Sequence, residues 1–437
     1  MYSKKFLKLI SYFLVSISIN TISQTWAQNI YTIEKISPNG LITVSLSVPV
    51  DTTNNKNTQL SLRDDIPVTK SQVINVRCGH TKLKHDKSGN WLLPTTCNKV
   101  TWQVKPELSD NKPIDLANQL TLKLKKAGWI LFSESSSLLR IKHSESASSV
   151  LTSTNNIPLL GATSALYGWA IPPVGTAPEF YIIGQPETQQ KIIADLPVTY
   201  VIDNPQQTNW SELQALHQKT LRYFTTILSL PADLPSNEKS LLLIWLGTEA
   251  KNKQVNGAAG RRSFIANYVY ERNHRISTSD NMHSLLVIAH EQFHQYADMV
   301  RYKHPVYTSV WIEESLAQYY ALKSMQKALS ADEFETIKNK FLSQDQTIYF
   351  KFSEIEQQIK ENNYKNYSLL YSQGPKFWYA MDQALLSSSQ GKYGLDSLLP
   401  VLINSDCQNG QLPAAFVQKA NEIGGNQINN LLKQYVQ

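Results

Sequence analysis

The sequence predicts a multidomain α+β protein in which a β-rich segment precedes an α+β unit and a helical C-terminal part. Alternating apolar residues predict an N-terminal β-rich domain over residues 28–204. A helical pattern followed by a buried-strand pattern predicts a mixed core unit over residues 205–330. Helical spacing continues to the end, so residues 331–437 form the predicted helical part.

The first 27 residues have the pattern of a cleavable secretory signal. Lys4, Lys5 and Lys8 form a basic start, an apolar run follows, and small residues lie near Ala27. The apolar run is short and is broken by Ser and Asn, so it does not predict a membrane span. An uncleaved amphipathic anchor is the alternative. We therefore expect an exported chain, periplasmic or secreted, with no integral membrane span after signal cleavage.

The charge of the chain argues against a nucleic-acid partner. The formal net charge is +7, and removal of the three signal lysines leaves +4 for the mature chain. No stripe of Lys and Arg with interleaved aromatic residues accompanies this mild excess. The sequence therefore predicts no nucleic-acid binding.

The three cysteines divide into a predicted pair and a single thiol. Cys78 and Cys97 lie close in sequence, and an exported chain meets an oxidising compartment, so we expect a disulfide between them. Closing that short loop stabilises a domain by about 3 kcal/mol in the chain-entropy model. A zinc site made of Cys78, His80, His85 and Cys97 is the alternative. Cys407 is then a buried thiol.

The predicted strands of the β-rich domain come from alternation along the chain. The stretches "GLITVSLSV" and "VTWQV" alternate apolar with polar residues, and "LTLKLKKAGWILF" and "FYIIG" have the same character. Clusters of Pro and Gly such as "AIPPVGTAPE" separate them. After residue 204, "NWSELQALHQKTLRYFTTIL" predicts a helix, "SLLLIWLG" a buried strand, and "NGAAGRRSFIANYVY" a glycine turn that leads into a strand.

The stretch "HSLLVIAHEQFHQYADMV" places two histidines and a glutamate on one predicted helix. His290 and His294 are four positions apart and therefore lie on the same helical face. Two imidazoles at this spacing ligate zinc, and the intervening Glu291 activates water. The alternative is a pair of hydrogen-bonded core histidines. The apolar "SLLVIA" before them indicates that both are at least partly buried.

A third ligand is expected from "VWIEESLAQYYA", a helical pattern whose Trp311 lies 17 residues after His294. This pattern carries Glu313 and Glu314, whose directions differ by about 100° on a helix, so one of them can face the metal. Glu314 shares its face with two alanines, which leave room for a metal and a substrate. Glu313 shares its face with a leucine and a tyrosine. The packing favours Glu314.

Together, "HEQFH" and "WIEESLAQYY" resemble the gluzincin zinc metallopeptidases of the peptidase MA type, in particular the aminopeptidase-N-like and glycyl-aminopeptidase-like groups. The second helix of these groups typically reads Trp-x-x-Glu-Gly-x-Ala. Trp311, Glu314 and Ala317 match this frame, with Ser315 in place of Gly. The usual spacing after the second histidine would select Glu313 instead.

This resemblance implies a thermolysin-like zinc-peptidase domain with Zn²⁺ on His290, His294 and Glu314. It also covers "LLYSQGPKFWYAM", which is similar to the Tyr-x-Lys-Gly segment of these enzymes. By that match Tyr371 donates a hydrogen bond to the oxyanion of the reaction, with Gln373 in place of the lysine. A core tyrosine is the alternative. The C-terminal stretch resembles the helical end of the same enzymes.

One departure concerns the substrate amine. The resembling enzymes hold that amine with a glutamate in a Gly-Ala-Met-Glu-Asn or Gly-Gly-x-Glu segment, whereas residues 256–267 contain no acid here. Arg261 and Arg262 occupy this stretch instead. They would either repel the ammonium group of the substrate or simply be solvated. An acid from elsewhere, such as Glu249 or Glu271, is the alternative anchor. We therefore expect that a free substrate N-terminus is not required.

The expected function is hydrolysis of peptide or protein substrates by an exported zinc metallopeptidase, with Glu291 as general base. The competing hypotheses are a catalytically silent gluzincin-fold binding protein and a structural zinc site closed by four ligands. Asp298, one turn beyond His294, is a candidate for orienting a ligand, with a plain exposed aspartate as its alternative.

Overall fold

The computed structural model describes residues 28–437 except 49–57, 64–70, 85, 110–114, 143–147, 155, 205–209, 250, 252–254, 272–276, 303–305, 343–347 and 408–409. The predicted signal segment therefore lies outside the described residues, as does His85. Among the described residues, no helix combines the length and the apolar character that crossing a bilayer requires.

The N-terminal part is β-rich, with sixteen strands among its described residues and a single-turn helix, α1, at Glu134–Ser137. Strands β1 to β8 span Asn29–Ile36, Ile42–Ser47, Gln59–Ser61, Val73–Cys78, Thr81–Lys82, Trp91–Leu92, Lys99–Val104 and Glu107–Leu108. Strands β9 to β16 span Leu122–Leu124, Trp129–Ser133, Arg140–Ile141, Ser149–Ser153, Leu159–Leu160, Ser164–Ala165, Gly168–Ile171 and Phe180–Ile183.

These strands form three sheets, whose orders are β14-β15-β12-β1-β2-β7-β4-β5, β13-β16-β10-β9-β8 and β11-β3-β6. Most neighbours are antiparallel, while β1 pairs with β12 and β8 with β9 in parallel. Val44 on β2 and Trp102 on β7 lie opposite each other and are fully buried. The alternation in "GLITVSLSV" and "VTWQV" thus follows the buried face of the largest sheet.

The predicted disulfide is confirmed. Cys78, the last residue of β4, is bonded to Cys97, which precedes β7. Both sulfurs are therefore used in the covalent bond, and the alternative zinc site on these two cysteines is excluded. Cys407 is a buried free thiol, as predicted.

The second part contains a five-stranded sheet of order β17-β18-β19-β21-β20. Its strands β17 to β21 span Thr188–Ile193, Leu196–Ile202, Leu241–Glu249, Gly257–Ala259 and Ser263–Tyr270. The three central strands are parallel, and both edge strands are antiparallel to their neighbours. β18 precedes residue 204 and pairs with β19, so the predicted boundary at 204 falls between two neighbouring strands of one sheet.

β19 is buried on both faces. Leu243 and Trp245 pack in the core that the sheet shares with the helices. Leu242 and Ile244 pack in a second core with Leu131 and other residues of the N-terminal sheets. Because both faces meet apolar layers, the strand is a continuous apolar run rather than an alternating one.

The remaining helices cover one face of this sheet and continue to the C-terminus. Helices α2 to α11 span Ser211–Ile227, Thr278–Val300, Val310–Ala328, Ala331–Leu342, Phe352–Lys360, Leu369–Ser372, Gly374–Ser388, Leu395–Ile403, Ala414–Gly424 and Asn426–Tyr435. α3 packs against β21, α2 and α4, and α4 packs against α8. The prediction of an α+β fold with an N-terminal β-rich domain and a helical C-terminal part is confirmed.

Candidate metal centre and cleft

α3 carries both histidines on one face. Its N-terminus is capped by Ser277, whose hydroxyl accepts the N–H of Asp280, and the helix then runs unbroken to Val300. His290 Nε2 and His294 Nε2 approach to 3.0 Å, which their spacing on one face of the helix allows. Both side chains point into a cleft rather than into the core.

A buried polar network connects α3 with α2 and β18. His217 on α2 contacts Gln292 Oε1 through Nε2 at 3.1 Å and the Tyr200 hydroxyl through Nδ1 at 2.8 Å. Burial lowers the pKa of His217 to about 4, so its imidazole is neutral at pH 7. Gln292, which follows Glu291 in the chain, is thereby linked through His217 to both α2 and β18.

α4 delivers Glu314 to the histidines. Trp311 anchors the first turn, because its backbone N–H donates to Glu356 Oε2 at 3.1 Å and its indole N–H donates to the Gly410 carbonyl at 2.9 Å. Glu314 Oε2 lies 3.3 Å from His290 Nε2 and 3.8 Å from His294 Nε2. Burial opposes ionisation of Glu314, but the two imidazoles outweigh it and hold its pKa well below the usual value.

The three donors fit a zinc ion. Zinc bonds to imidazole nitrogen and carboxylate oxygen are about 2.1 Å long, so tetrahedral ligand atoms lie roughly 3.4 Å apart. The three separations here are 3.0, 3.3 and 3.8 Å, which bracket that value. Among the described residues, His290, His294 and Glu314 form the group of potential ligands. Two histidines and one carboxylate are a donor set of catalytic zinc sites with an open position.

The structure separates the two adjacent glutamates. Glu313 Oε1 lies 3.0 Å from Arg301 Nη1, and the Glu313 side chain is 37% exposed. Glu314 turns the other way, toward the histidines. The structure therefore brings Glu314 into the donor group, and Glu313 forms an ion pair at the rim.

Glu291 is buried beside the edge strand β20. A Cβ on Gly257 would lie 2.6 Å from Glu291 Cγ, so this position of the strand accommodates glycine alone. Burial raises the pKa of Glu291 to about 7, with His290 and the N–H of Ala259 opposing the rise and Glu314 adding to it. A carboxyl group of this pKa can accept and release a proton near neutral pH.

Two tyrosines lie beside the donor group, and the sequence indicated one of them. The Tyr371 hydroxyl donates to Glu314 Oε2 at 2.7 Å. Burial and the charge of Glu314 hold the pKa of Tyr371 well above its usual value, so the hydroxyl stays protonated. Tyr367 was missed: its ring centroid lies 5.8 Å from that of Tyr371, and its hydroxyl interacts with Tyr371 and Glu314. It precedes α7, so helical spacing did not reveal it.

The expectation for the two arginines was wrong for Arg262. Its side chain is fully buried, neither solvated nor directed into the cleft, and it pairs with Glu238 Oε2 at 3.1 Å and Asp298 Oδ2 at 2.8 Å. Arg261 does line the cleft. Asp298 lies against Arg262, so the described contacts give no support to its predicted role in orienting a metal ligand.

The donor group opens into a cleft of about 740 Å³, a volume in the usual range of ligand sites. β20, α3, the start of α4 and a loop of the N-terminal part form its walls. Its lining is Ala117, Gln119, Gly175, Thr176, Ala177, Gly257, Ala258, Ala259, Gly260, Arg261, His290, Glu291, His294, Asp298, Arg301, Tyr302, Val306, Tyr307, Thr308, Glu313, Glu314, Tyr367 and Tyr371. Neither Glu249 nor Glu271 is among these described lining residues.

No protein-family model matches the sequence, and no curated protein matches it in a sequence comparison. Solved structures do match the fold. The chain is similar to the crystal structure of an aminopeptidase N family protein from Idiomarina loihiensis, with a TM-score of 0.64 and 14% identity over 93% of this chain and 73% of that one. It also matches Legionella pneumophila aminopeptidase A in complex with aspartic acid, with a TM-score of 0.48 and 11% identity over 94% of this chain and 49% of that one. The chain therefore has the multidomain α+β fold of a solved aminopeptidase N family protein, as the resemblance to that group implied.

Proposed function

We propose that the chain is an exported zinc-dependent peptidase that cleaves peptide bonds in the cleft beside β20. One observation carries the proposal: His290, His294 and Glu314 hold three donor atoms at zinc spacing next to the buried Glu291. The matching fold and the edge strand beside the donors support it. The basic and apolar N-terminal sequence and the disulfide support export.

Each residue of the site has a separate role in the proposed reaction. His290, His294 and Glu314 would hold the Zn²⁺, which would supply Lewis-acid chemistry that lowers the pKa of water toward 7. Glu291 accepts the proton of the attacking water and delivers it to the leaving amine. Tyr371 donates its hydroxyl hydrogen bond to the oxyanion as that charge develops. β20, an edge strand of its sheet among the described residues, would pair with the substrate backbone.

We expect Tyr371→Phe to lower kcat by on the order of 100-fold with little change in KM, because its proposed hydrogen bond to the oxyanion forms only as the transition state is reached. Steady-state kinetics on one good peptide substrate measure this. Tyr393→Phe, at an exposed tyrosine, is the matched control. If Tyr367→Phe carries the loss while Tyr371→Phe is silent, the hydroxyl donor is Tyr367.

We expect the enzyme to accept peptides without a free N-terminus. An aminopeptidase must neutralise a buried ammonium, and an unpaired charge in a closed site costs several kcal/mol. No acid can stand at residue 260, because a Cβ there would lie 2.6 Å from the Ser263 carbonyl and 2.7 Å from that of Pro178. Peptides and their N-acetylated forms should be cleaved at similar rates. A preference of about a hundredfold for the free amine, ~2.7 kcal/mol, would restore aminopeptidase specificity.

The experiment that tests the function combines metal analysis with hydrolysis of a mixed peptide library by the purified mature chain. We expect one zinc per chain, and loss of hydrolysis on chelation that zinc restores. Zinc binding without hydrolysis of any peptide would favour the catalytically silent binding protein. A chain that takes up no zinc would overturn the proposal.

A further inference from the structure

Two adjacent arginines form the tip of the hairpin that borders the cleft. Ala259 on β20 pairs with Phe264 on β21, and the Gly260 N–H donates to the Ser263 carbonyl at 2.7 Å, so Arg261 and Arg262 are the residues of the connecting turn. Their side chains have different surroundings: Arg262 is fully buried, whereas Arg261 is 14% exposed and lines the cleft.

The carboxylates next to this turn form their shorter ion pairs with the buried Arg262. A fully desolvated guanidinium requires paired charges, and Arg262 has Glu238 at 3.1 Å and Asp298 at 2.8 Å. Arg261 Nε lies 3.5 Å from the same Glu238 oxygen, at the outer limit of a hydrogen bond. Arg301, the other arginine on the cleft wall, is paired with Glu313 at 3.0 Å. Arg261 is thus the cleft-lining arginine whose own ion pair is weakest.

Arg261 is also held in place. Its backbone N–H donates to the Pro178 carbonyl at 2.8 Å, and its guanidinium carbon lies 5.5 Å from the centroid of the Tyr302 ring. A planar guanidinium held near an aromatic ring presents parallel N–H donors that match a carboxylate. Little side-chain freedom remains to be lost when such an anion binds.

The turn lies close to the reacting centre. Glu291 contacts Gly257 and the N–H of Ala259, so the proposed scissile bond lies beside β20. Arg261 lies two residues beyond Ala259 along the chain. At the rise of a strand, two residues span about 7 Å. A peptide paired with β20 therefore carries a side chain or a terminus near Arg261 one or two residues from the cleaved bond.

We propose that Arg261 binds a carboxylate of the substrate, so that the peptidase prefers an anionic group within about two residues of the cleaved bond. This inference rests on the proposed function. The carboxylate has two possible sources, an acidic side chain or the C-terminus of the peptide, and both present the same two oxygens to the guanidinium.

The test uses two matched peptide series around one cleavage site. In the first, C-terminally amidated peptides carry Glu, Gln or Lys at each of the two positions on either side of the bond. In the second, neutral peptides end in a free carboxylate or an amide at the same distances. We expect the anionic member of at least one pair to have a kcat/KM about tenfold or more higher than its neutral counterpart. The series that shows the preference identifies the source.

Variants then assign the preference to this arginine. Arg261→Gln should reduce the ratio of anionic to neutral substrates toward one, and Arg261→Glu should reverse it in favour of Lys. Arg261→Lys keeps the charge without the planar donors and should retain part of the ratio. Arg222→Gln, at an exposed arginine on α2, is the matched control and should preserve it. Equal rates for anionic and neutral peptides, or a preference that survives Arg261→Gln, would overturn the inference.

A binding measurement separates this inference from the proposed function. Fluorescently labelled Glu and Gln peptides are titrated against the Glu291→Gln chain with and without Arg261→Gln. Tighter binding of the Glu peptide that disappears with Arg261→Gln supports the carboxylate site even if the wild-type chain hydrolyses nothing. Equal binding of both peptides to the Glu291→Gln chain contradicts it.

Discussion

Replacing Glu291 with glutamine is expected to leave one zinc per chain and to lower kcat by on the order of 1,000-fold. Glutamine has nearly the shape of glutamate, so it fits beside Gly257, but it cannot accept the proton of the attacking water. The three proposed ligands are untouched by this change. Metal analysis and kcat on the best library peptide give the two readouts.

Glu335→Gln provides the control for this replacement, because Glu335 is exposed on α5 and pairs with Lys338. It should keep both the zinc and the turnover number. Loss of zinc from the Glu291→Gln chain would show that Glu291 supports the metal. A turnover number within a few-fold of the wild type would exclude Glu291 as the general base.

The second large effect is expected at Glu314. Glu314→Ala should weaken zinc binding by on the order of 100-fold or more, since even residues that only support a ligand commonly contribute 10- to 100-fold. Glu313→Ala should change the zinc affinity little, because Glu313 faces Arg301 rather than the donor group. Competition with a chromophoric chelator measures both affinities, and His294→Ala is the reference for loss of a ligand.

The pair of variants tests helix phase against chain spacing. The sequence favoured Glu314 because it shares a helical face with small residues. In the folded chain, its carboxylate lies beside both imidazoles. If Glu313→Ala lost the zinc while Glu314→Ala kept it, spacing from the second histidine would be the better guide.

The local parts of the candidate site could be predicted from the sequence. Two histidines four apart share a face on any helix, so His290 and His294 needed no knowledge of the tertiary fold. The choice of Glu314 also rested on the phase of one helix. Spacing along the chain is a weaker guide because it depends on the connection between α3 and α4, and connections of this kind vary in length.

The remaining features depend on residues far apart in sequence. Arg262 is buried because Glu238 and Asp298 reach it from two different elements, and no local pattern links these three residues. Tyr367 reaches the site from the segment before α7, where helical periodicity gives no information. The pairing of β18 with β19 across residue 204 could not be predicted from the sequence, because it arises only in the tertiary structure.

The two-sided burial of β19 bears on how the chain can be divided. A fragment starting at residue 205 would lack β17 and β18, and it would expose Leu242 and Ile244, which the N-terminal sheets cover. Exposing several such side chains costs about 1.5–3 kcal/mol each, and a domain has only about 5–15 kcal/mol of net stability. α3 therefore depends on the β-rich part as an integral layer of its own scaffold, and a fragment that keeps this scaffold intact must include the N-terminal sheets that cover β19.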